Sequence, residues 1–285
     1  MTSYDVQIVI AVCEKQAGGD KKEGCLFSSL PQPSTMSAQL LFNELSMRPG
    51  SRATVDIFYL LTRAYYPRSY YPDLNDCLLR TVRVYKRGFV IQHESVVFTL
   101  RSASGTEFHL LVDRNLDFTS VLSCSLSSGS SSADGSWKPA LDYATPIQTE
   151  EPPRQLYGER VRTITLPHPP DHFQVNLLQL AALLFTIGDT NDGPKYRLTK
   201  MNCFWFARTV CEAIWRLARN AQAGDRVMEE FHGDESRMGR CLGIRLDGAG
   251  PQDDTQLGEI IDRYHQTYTR CSANANAQAS HDYSN

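Results

Sequence analysis

The chain predicts an α+β fold in which an antiparallel sheet carries helices packed on it. Three observations predict it. Thr81–Tyr85, Phe89–Leu100 and Glu107–Val112 are rich in Val, Phe, Tyr and Thr, side chains that suit a pleated, half-buried surface. Arg101–Thr106, between the last two, is polar and contains Gly105, as a hairpin connection requires. Two later stretches, Phe173–Ile187 and Cys203–Arg219, are long enough for helices, and the second carries charges at helical spacing.

In chain order, Asp5–Cys13 reads as a strand, followed by a polar loop to about Ser34, and Ser37–Met47 as a short helix ended by Pro49-Gly50. Val55–Tyr66 is apolar and aromatic and reads equally as strand or helix. Pro67, Pro72 and tyrosines 65, 66, 70 and 71 mark an irregular segment after it. The strands between 81 and 112 complete an N-terminal part, residues 1–118. Residues 119–158 are rich in serine, then in Pro and Glu, and read as a disordered insertion, since such sequence buries too little apolar area to offset the entropy of ordering it. A C-terminal part, residues 159–270, opens with Val161–Leu166, a strand by alternation. It continues through the two helices, with Gly188 closing the first, to a strand candidate at Leu242–Leu246 and a helix candidate at Thr255–Thr267. Residues 271–285 read as a polar tail that frays.

The 285 residues are 41% hydrophobic and 21% charged, ordinary for a globular protein, and the net charge is −3. With a pI near 6.2 no global field favours nucleic acid. The basic run Arg80–Arg87 alternates like a strand with a polar edge. Val6–Val12 is too short, and lacks the basic leader, for a secretory signal. Leu177–Ile187 falls well short of the ~20 residues that span a bilayer. The expectation is a soluble, cytoplasmic protein without an integral membrane segment. Eight cysteines, at 13, 25, 77, 124, 203, 211, 241 and 271, show no C-x-x-C spacing, so free thiols are expected rather than a disulfide framework or zinc site. Asp189–Gly193 begins like a calcium loop but puts Gly193 where an oxygen ligand belongs, and reads as a turn. No metal and no cofactor are expected.

The chemistry concentrates at Cys203. Asn202 is a suitable N-cap, which places Cys203 in the first turn of a helix. Arg208, Glu212 and Arg216 recur every four residues as a solvated stripe, opposite Cys203, Ala207, Val210, Ile214 and Leu217. A thiol at a helix N-terminus meets the positive end of the dipole and unpaired N–H groups, which favour the thiolate and can hold an oxyanion. Cys211, on the same helix, reads as core. His93 opens one strand of the hairpin and is the candidate general base. His109 lies on the returning strand and is the candidate orienter of His93. An odd number of loop residues puts the two imidazoles on one face, and an even, unbulged loop turns them apart. Either histidine also reads as a half-buried side chain satisfied by backbone. His168 and His172 have helical spacing, but Pro169 and Pro170 forbid a helix there.

An early hairpin beginning with His and a late helix beginning with Asn-Cys resemble the circularly permuted papain-like families. These are the lecithin–retinol acyltransferase-like proteins and the PPPDE peptidases, on a fold of the permuted NlpC/P60 type. Tyr196, Leu198, Asn202, Cys203 and Phe206 match the Tyr-x-Leu…Asn-Cys-x-x-Phe motif, and His109-Leu110 matches the second histidine of the acyltransferase-like pattern. The hairpin and the helix, about a quarter of the chain, carry the resemblance. Phe204-Trp205 stands where those families carry a polar pair, the hairpin is longer, and the serine-rich insertion is extra. The Asn-Cys-x-Trp-Phe-Ala and His-Glu wording is also similar to a fungal family without an assigned activity. The resemblance implies a thiol-dependent hydrolase or acyl/peptidyl transferase acting on a protein or acyl-containing substrate, with Cys203 the nucleophile, His93 the base and His109 the orienter. A non-catalytic interaction module on the same fold, using Phe204–Phe206 and the tyrosine-rich 65–71 segment, is the alternative.

Overall fold

The computed structural model describes residues 41–42, 45, 53–64, 76–87, 93–116, 138–167, 174–189, 195–196, 202–219, 227–233, 240–241, 244–245 and 254–282. They all lie within one compact unit, Met36–Asn285. The expected strand at 5–13, the turn at 190–193, the irregular 65–71 segment and the serine-rich 119–137 fall outside the described residues.

The strands are β1 (Ala53–Thr54), β2 (Leu78–Arg87), β3 (His93–Arg101), β4 (Glu107–Leu116), β5 (Lys138–Ile147), β6 (Glu159–Thr165), β7 (Lys195–Tyr196) and β8 (Met228–Phe231), followed by a separate small hairpin, β9 (Arg240–Cys241) with β10 (Ile244–Arg245). The helices bounded within the described residues are α1 (Val55–Ala64), α2 (Arg154–Tyr157), α3 (Leu177–Gly188), α4 (Cys203–Ala218) and α5 (Asp254–Asp282), and Leu41, Phe42 and Leu45 are helical as well. Six strands run β5-β4-β3-β2-β6-β8, with the two-residue β1 and β7 both on β5. All neighbours are antiparallel. The fold is therefore α+β, with an antiparallel sheet and helices packed on it.

Alternation along the strands sorts the two faces. Val82, Val84, Val96, Phe98, Leu100, Leu110 and Val112 join the main core with the apolar faces of α1, α3, α4 and α5. Tyr85, Val97 and Leu111 form a small cluster on the other face, covered by Ile147 and Tyr157. α3 is apolar nearly all round because it sits in the middle, against α1, α5 and α4. It starts at Leu177 rather than Phe173, since Asn176 and Gln179 close a reciprocal capping box there.

Three sequence expectations are corrected. The 119–158 insertion contains β5, a full strand paired with β4 from His109↔Ile147 to Leu116↔Ala140, and Ala144 is fully buried. Its prolines, Pro139 and Pro146, do not break the strand. The tail from 271 continues α5 to Asp282, because Leu257, Ile260, Ile261, Tyr264 and Cys271 form one buried stripe at helical spacing, followed by alternate alanines of high helix propensity. The division into parts 1–118 and 159–270 is crossed by the sheet itself, since β2 pairs with β6. Within the ambiguous 55–66 stretch, Val55–Ala64 is helix, with Val55, Phe58, Tyr59, Leu61 and Thr62 inward.

Gly158 ends α2 at φ 84°, and a Cβ there would lie 2.0 Å from the Lys86 carbonyl oxygen, so only glycine lets this chain cross the end of β2. At the far end of the hairpin, Ser102–Thr106 forms a five-residue loop between the paired Arg101 and Glu107, with Gly105 at φ 86°.

Candidate active site

Asn202 adopts extended backbone, and its Oδ1 accepts the Trp205 N–H at 3.0 Å, as an N-cap does. The Phe206 N–H makes the first intrahelical bond, to the Asn202 carbonyl at 3.0 Å. The N–H groups of Cys203 and Phe204 thus point out of the first turn, available to partners outside the helix. Cys203 is 2% exposed and stands apart from the main apolar cluster, although Trp205, Phe206 and Ala207 belong to it.

The first turn is held by two buried cations. The Arg114 guanidinium lies 5.0 Å from the Trp205 ring centroid and 5.1 Å from that of Phe206. It makes two 2.6 Å bonds to Asp142, the residue directly opposite it on β5. The Lys86 ammonium lies 5.1 Å from the Phe204 centroid and 3.6 Å from Glu94.

Beside this turn, His93 opens β3. Register puts Asp113 opposite Ser95, so Asp113 lies diagonal to His93, and its Oδ2 is 3.3 Å from the His93 Nε2. Asp113 is buried, whereas the His93 ring keeps 22% of its surface exposed. The ring hydrogen-bonds Asp113 and lies near enough to the Cys203 thiol for that group to act on its charge. Burial alone lowers the imidazole pKa. The hydrogen bonds and charges of Asp113 and Cys203 outweigh it and raise the value to about 10, so the ring is an imidazolium at neutral pH.

The structure brings Cys203 and His93 together and leaves His109 elsewhere. The five-residue loop is odd, so His109 and His93 do share a face. But His109 sits opposite Thr99, six residues along β3 from His93, which is about 20 Å at the rise of a strand. His109 Nδ1 is 3.2 Å from the Thr99 Oγ1, which also accepts a bond from Arg83 at 3.0 Å. Burial lowers the His109 pKa. The side chain within hydrogen-bond distance of the His93 ring on β4 is Asp113, not His109. Four residues along the same strand separate the two carboxylate and imidazole positions, and only the register, fixed by the length of the loop, tells them apart.

Among the described residues no group of three His, Cys, Asp or Glu side chains converges as a metal site. Within the same residues no helix is long and apolar enough to cross a membrane. Compared with protein-family models, with curated proteins and with solved structures, the chain gives no match.

Proposed function

We propose that this protein is a thiol-dependent hydrolase or acyl/peptidyl transferase that works through a thioester on Cys203. One observation carries the reading: His93 joins the Cys203 thiol to the carboxylate of Asp113, the chain of contacts that a nucleophile, a base and an orienter require. With Nε2 donating to Asp113, Nδ1 is the nitrogen left to serve the sulfur.

In the proposed reaction the Cys203 thiolate attacks a substrate carbonyl carbon and a C–S bond forms. The carbonyl electron pair moves to oxygen, where the Cys203 and Phe204 N–H groups face it. The tetrahedral species collapses, the bond to the leaving alcohol or amine breaks, and the imidazolium of His93 gives that group its proton. Water, or an acceptor nucleophile, then adds to the thioester while His93 removes its proton, and the thiolate departs. Asp113 holds the ring in position and stabilises its charged form. The arrangement fits the permuted papain-like order of histidine strand before cysteine helix, with an aspartate in place of a second histidine. The substrate is a protein or another acyl-containing molecule. The free thiols of Cys77, Cys203, Cys211 and Cys271 suit a reducing compartment, and we place the reaction in the cytoplasm.

The 2% exposure of Cys203 favours a second reading, an interaction module that retains the fold without turnover. Site-resolved iodoacetamide labelling decides between them. The enzyme reading expects Cys203 to label at least ~10-fold faster than Cys211 near pH 7 and His93→Ala to remove most of that advantage. Equal labelling of Cys203 and Cys211 gives the second reading.

A further inference from the structure

We propose that Arg114 is a positioning residue for the Cys203 site, setting where the sulfur stands relative to His93 by gripping the first turn of α4. This rests on the reading of Cys203 as nucleophile. Arg114 follows Asp113 on β4, and successive strand residues point to opposite sides. One side of β4 therefore holds the His93 ring through Asp113, and the other holds Trp205 and Phe206 through Arg114. The nucleophile and its base are in this way referenced to two adjacent residues of a single strand.

The grip is rigid. Arg114 is fully buried, and its Nε and Nη2 engage both oxygens of Asp142, its direct cross-strand partner, at 2.6 Å each. A planar fork of this kind fixes the plane of the guanidinium, and that plane is what Trp205 and Phe206 pack upon. Because Asp142 neutralises it, the pair brings little net charge to the helix terminus, so its influence on the thiol is through position. A lysine keeps the charge and loses the fork. An asparagine at 142 keeps the shape and loses the ionic partner. Either change frees the first turn to shift on β4 without touching Cys203, His93 or Asp113.

The test is the pH–rate profile for iodoacetamide alkylation of Cys203 in the full chain, for wild type, Arg114→Lys and Asp142→Asn, with Ile260→Ala on α5 as a core-destabilised control. The expected result is a profile displaced to higher pH in both site variants, with rates about tenfold lower near pH 7 and within about twofold of wild type near pH 10.5, where the thiolate forms without help. Ile260→Ala is expected to lower the thermal midpoint and leave the profile in place. Should Arg114→Lys fail to fold, Asp142→Asn and Phe206→Leu, which keeps the salt bridge and removes one packed ring, read the same quantity. Site variants that overlay wild type, or a control that moves as far as they do, overturn the inference. A wild-type Cys203 that reacts no faster than Cys211 instead overturns the reading beneath it, so the two failures are distinguishable.

Discussion

Two cysteines lie eight residues apart on α4, and both are almost wholly buried: Cys203 is 2% exposed and Cys211 not at all. Their surroundings differ. Cys211 is packed in the main core, where burial pushes its thiol up to about 12, with Arg162 opposing the rise and Glu212, Glu94 and Glu229 adding to it. Cys203 occupies the capped first turn, outside that core, in contact with an imidazole that is itself backed by a carboxylate. Burial therefore does not separate an inert thiol from a candidate nucleophile. What separates them is an imidazole backed by a carboxylate and a helix terminus, and the sheet supplies the imidazole from β3 and the carboxylate from β4 while the helix supplies the terminus.

The largest effect expected from this contrast is on stability against pH. The folded His93 pKa is raised from 6.5 to about 10. A raised pKa means that the folded state holds the proton more tightly, so the stabilisation is fully present below 6.5 and is lost as pH rises through 10. The advantage of wild type over His93→Gln in urea unfolding should accordingly be greatest below pH 6.5 and dwindle towards pH 10. An advantage independent of pH over that window would show that His93 is not held as an imidazolium. Cys211→Ala, by contrast, removes a core side chain, and its cost should be flat from pH 6.5 to about 8 and decline only above 9, where the unfolded thiol ionises while the folded one, raised to about 12, does not.

Next in size is the removal of the charge behind the imidazole. Asp113→Asn preserves shape and one hydrogen bond while deleting the carboxylate at 3.3 Å from Nε2. Labelling of Cys203 near pH 7 should slow by about tenfold, with Cys211 unaffected, since the ring loses a partner that stabilises its charged form. Unchanged labelling would leave a dyad with Asp113 as a structural neighbour only.

Much of this comparison was legible in the sequence, and the portion that was not has a common physical reason. The Asn202 cap and the Cys203 turn are local: four consecutive residues specify them, and the structure reproduces the bond from Trp205 N–H to Asn202. The hairpin and its histidines were legible from composition. The partner of His93 was not, because which residue of β4 lies beside it depends on the loop holding five residues and on Ser95 pairing with Asp113, a matter of register rather than of residue type. β5 was hidden for a related reason. Its neighbours in sequence are serine and proline, and Leu141, Tyr143, Ala144 and Ile147 become a strand only against the ladder that β4 offers. β8, Met228–Phe231, has two glutamates in four residues and no strand signature of its own, and it forms by adding to the edge of β6. The extension of α5 was obscured by polar residues between its inward positions.

The smallest expected effect concerns His109, and it is informative because it is small. His109 and His93 are both imidazoles on the same face of the same two strands, so a reading from residue type alone makes them partners. Register sets them about 20 Å apart, and their electrostatics diverge accordingly: His93 gains a proton through Asp113 and Cys203, while burial lowers the His109 pKa. His109 takes part instead in a polar cluster with Thr99 and Arg83, and Arg83 reaches Glu150 at 2.7 Å. His109→Gln keeps a hydrogen-bonding side chain for the Thr99 hydroxyl and should leave the rate and the pH profile of Cys203 labelling within about twofold of wild type. Its consequence should be confined to a modest fall in the thermal midpoint as the Thr99 contact weakens. If instead the profile moves as far as it does in Asp113→Asn, the two histidines act on the thiol together, and Asp113 is not the group that orients His93. The measurement therefore tests the register of β3 on β4, on which the whole assignment depends, with a substitution that touches none of the three side chains assigned to the chemistry.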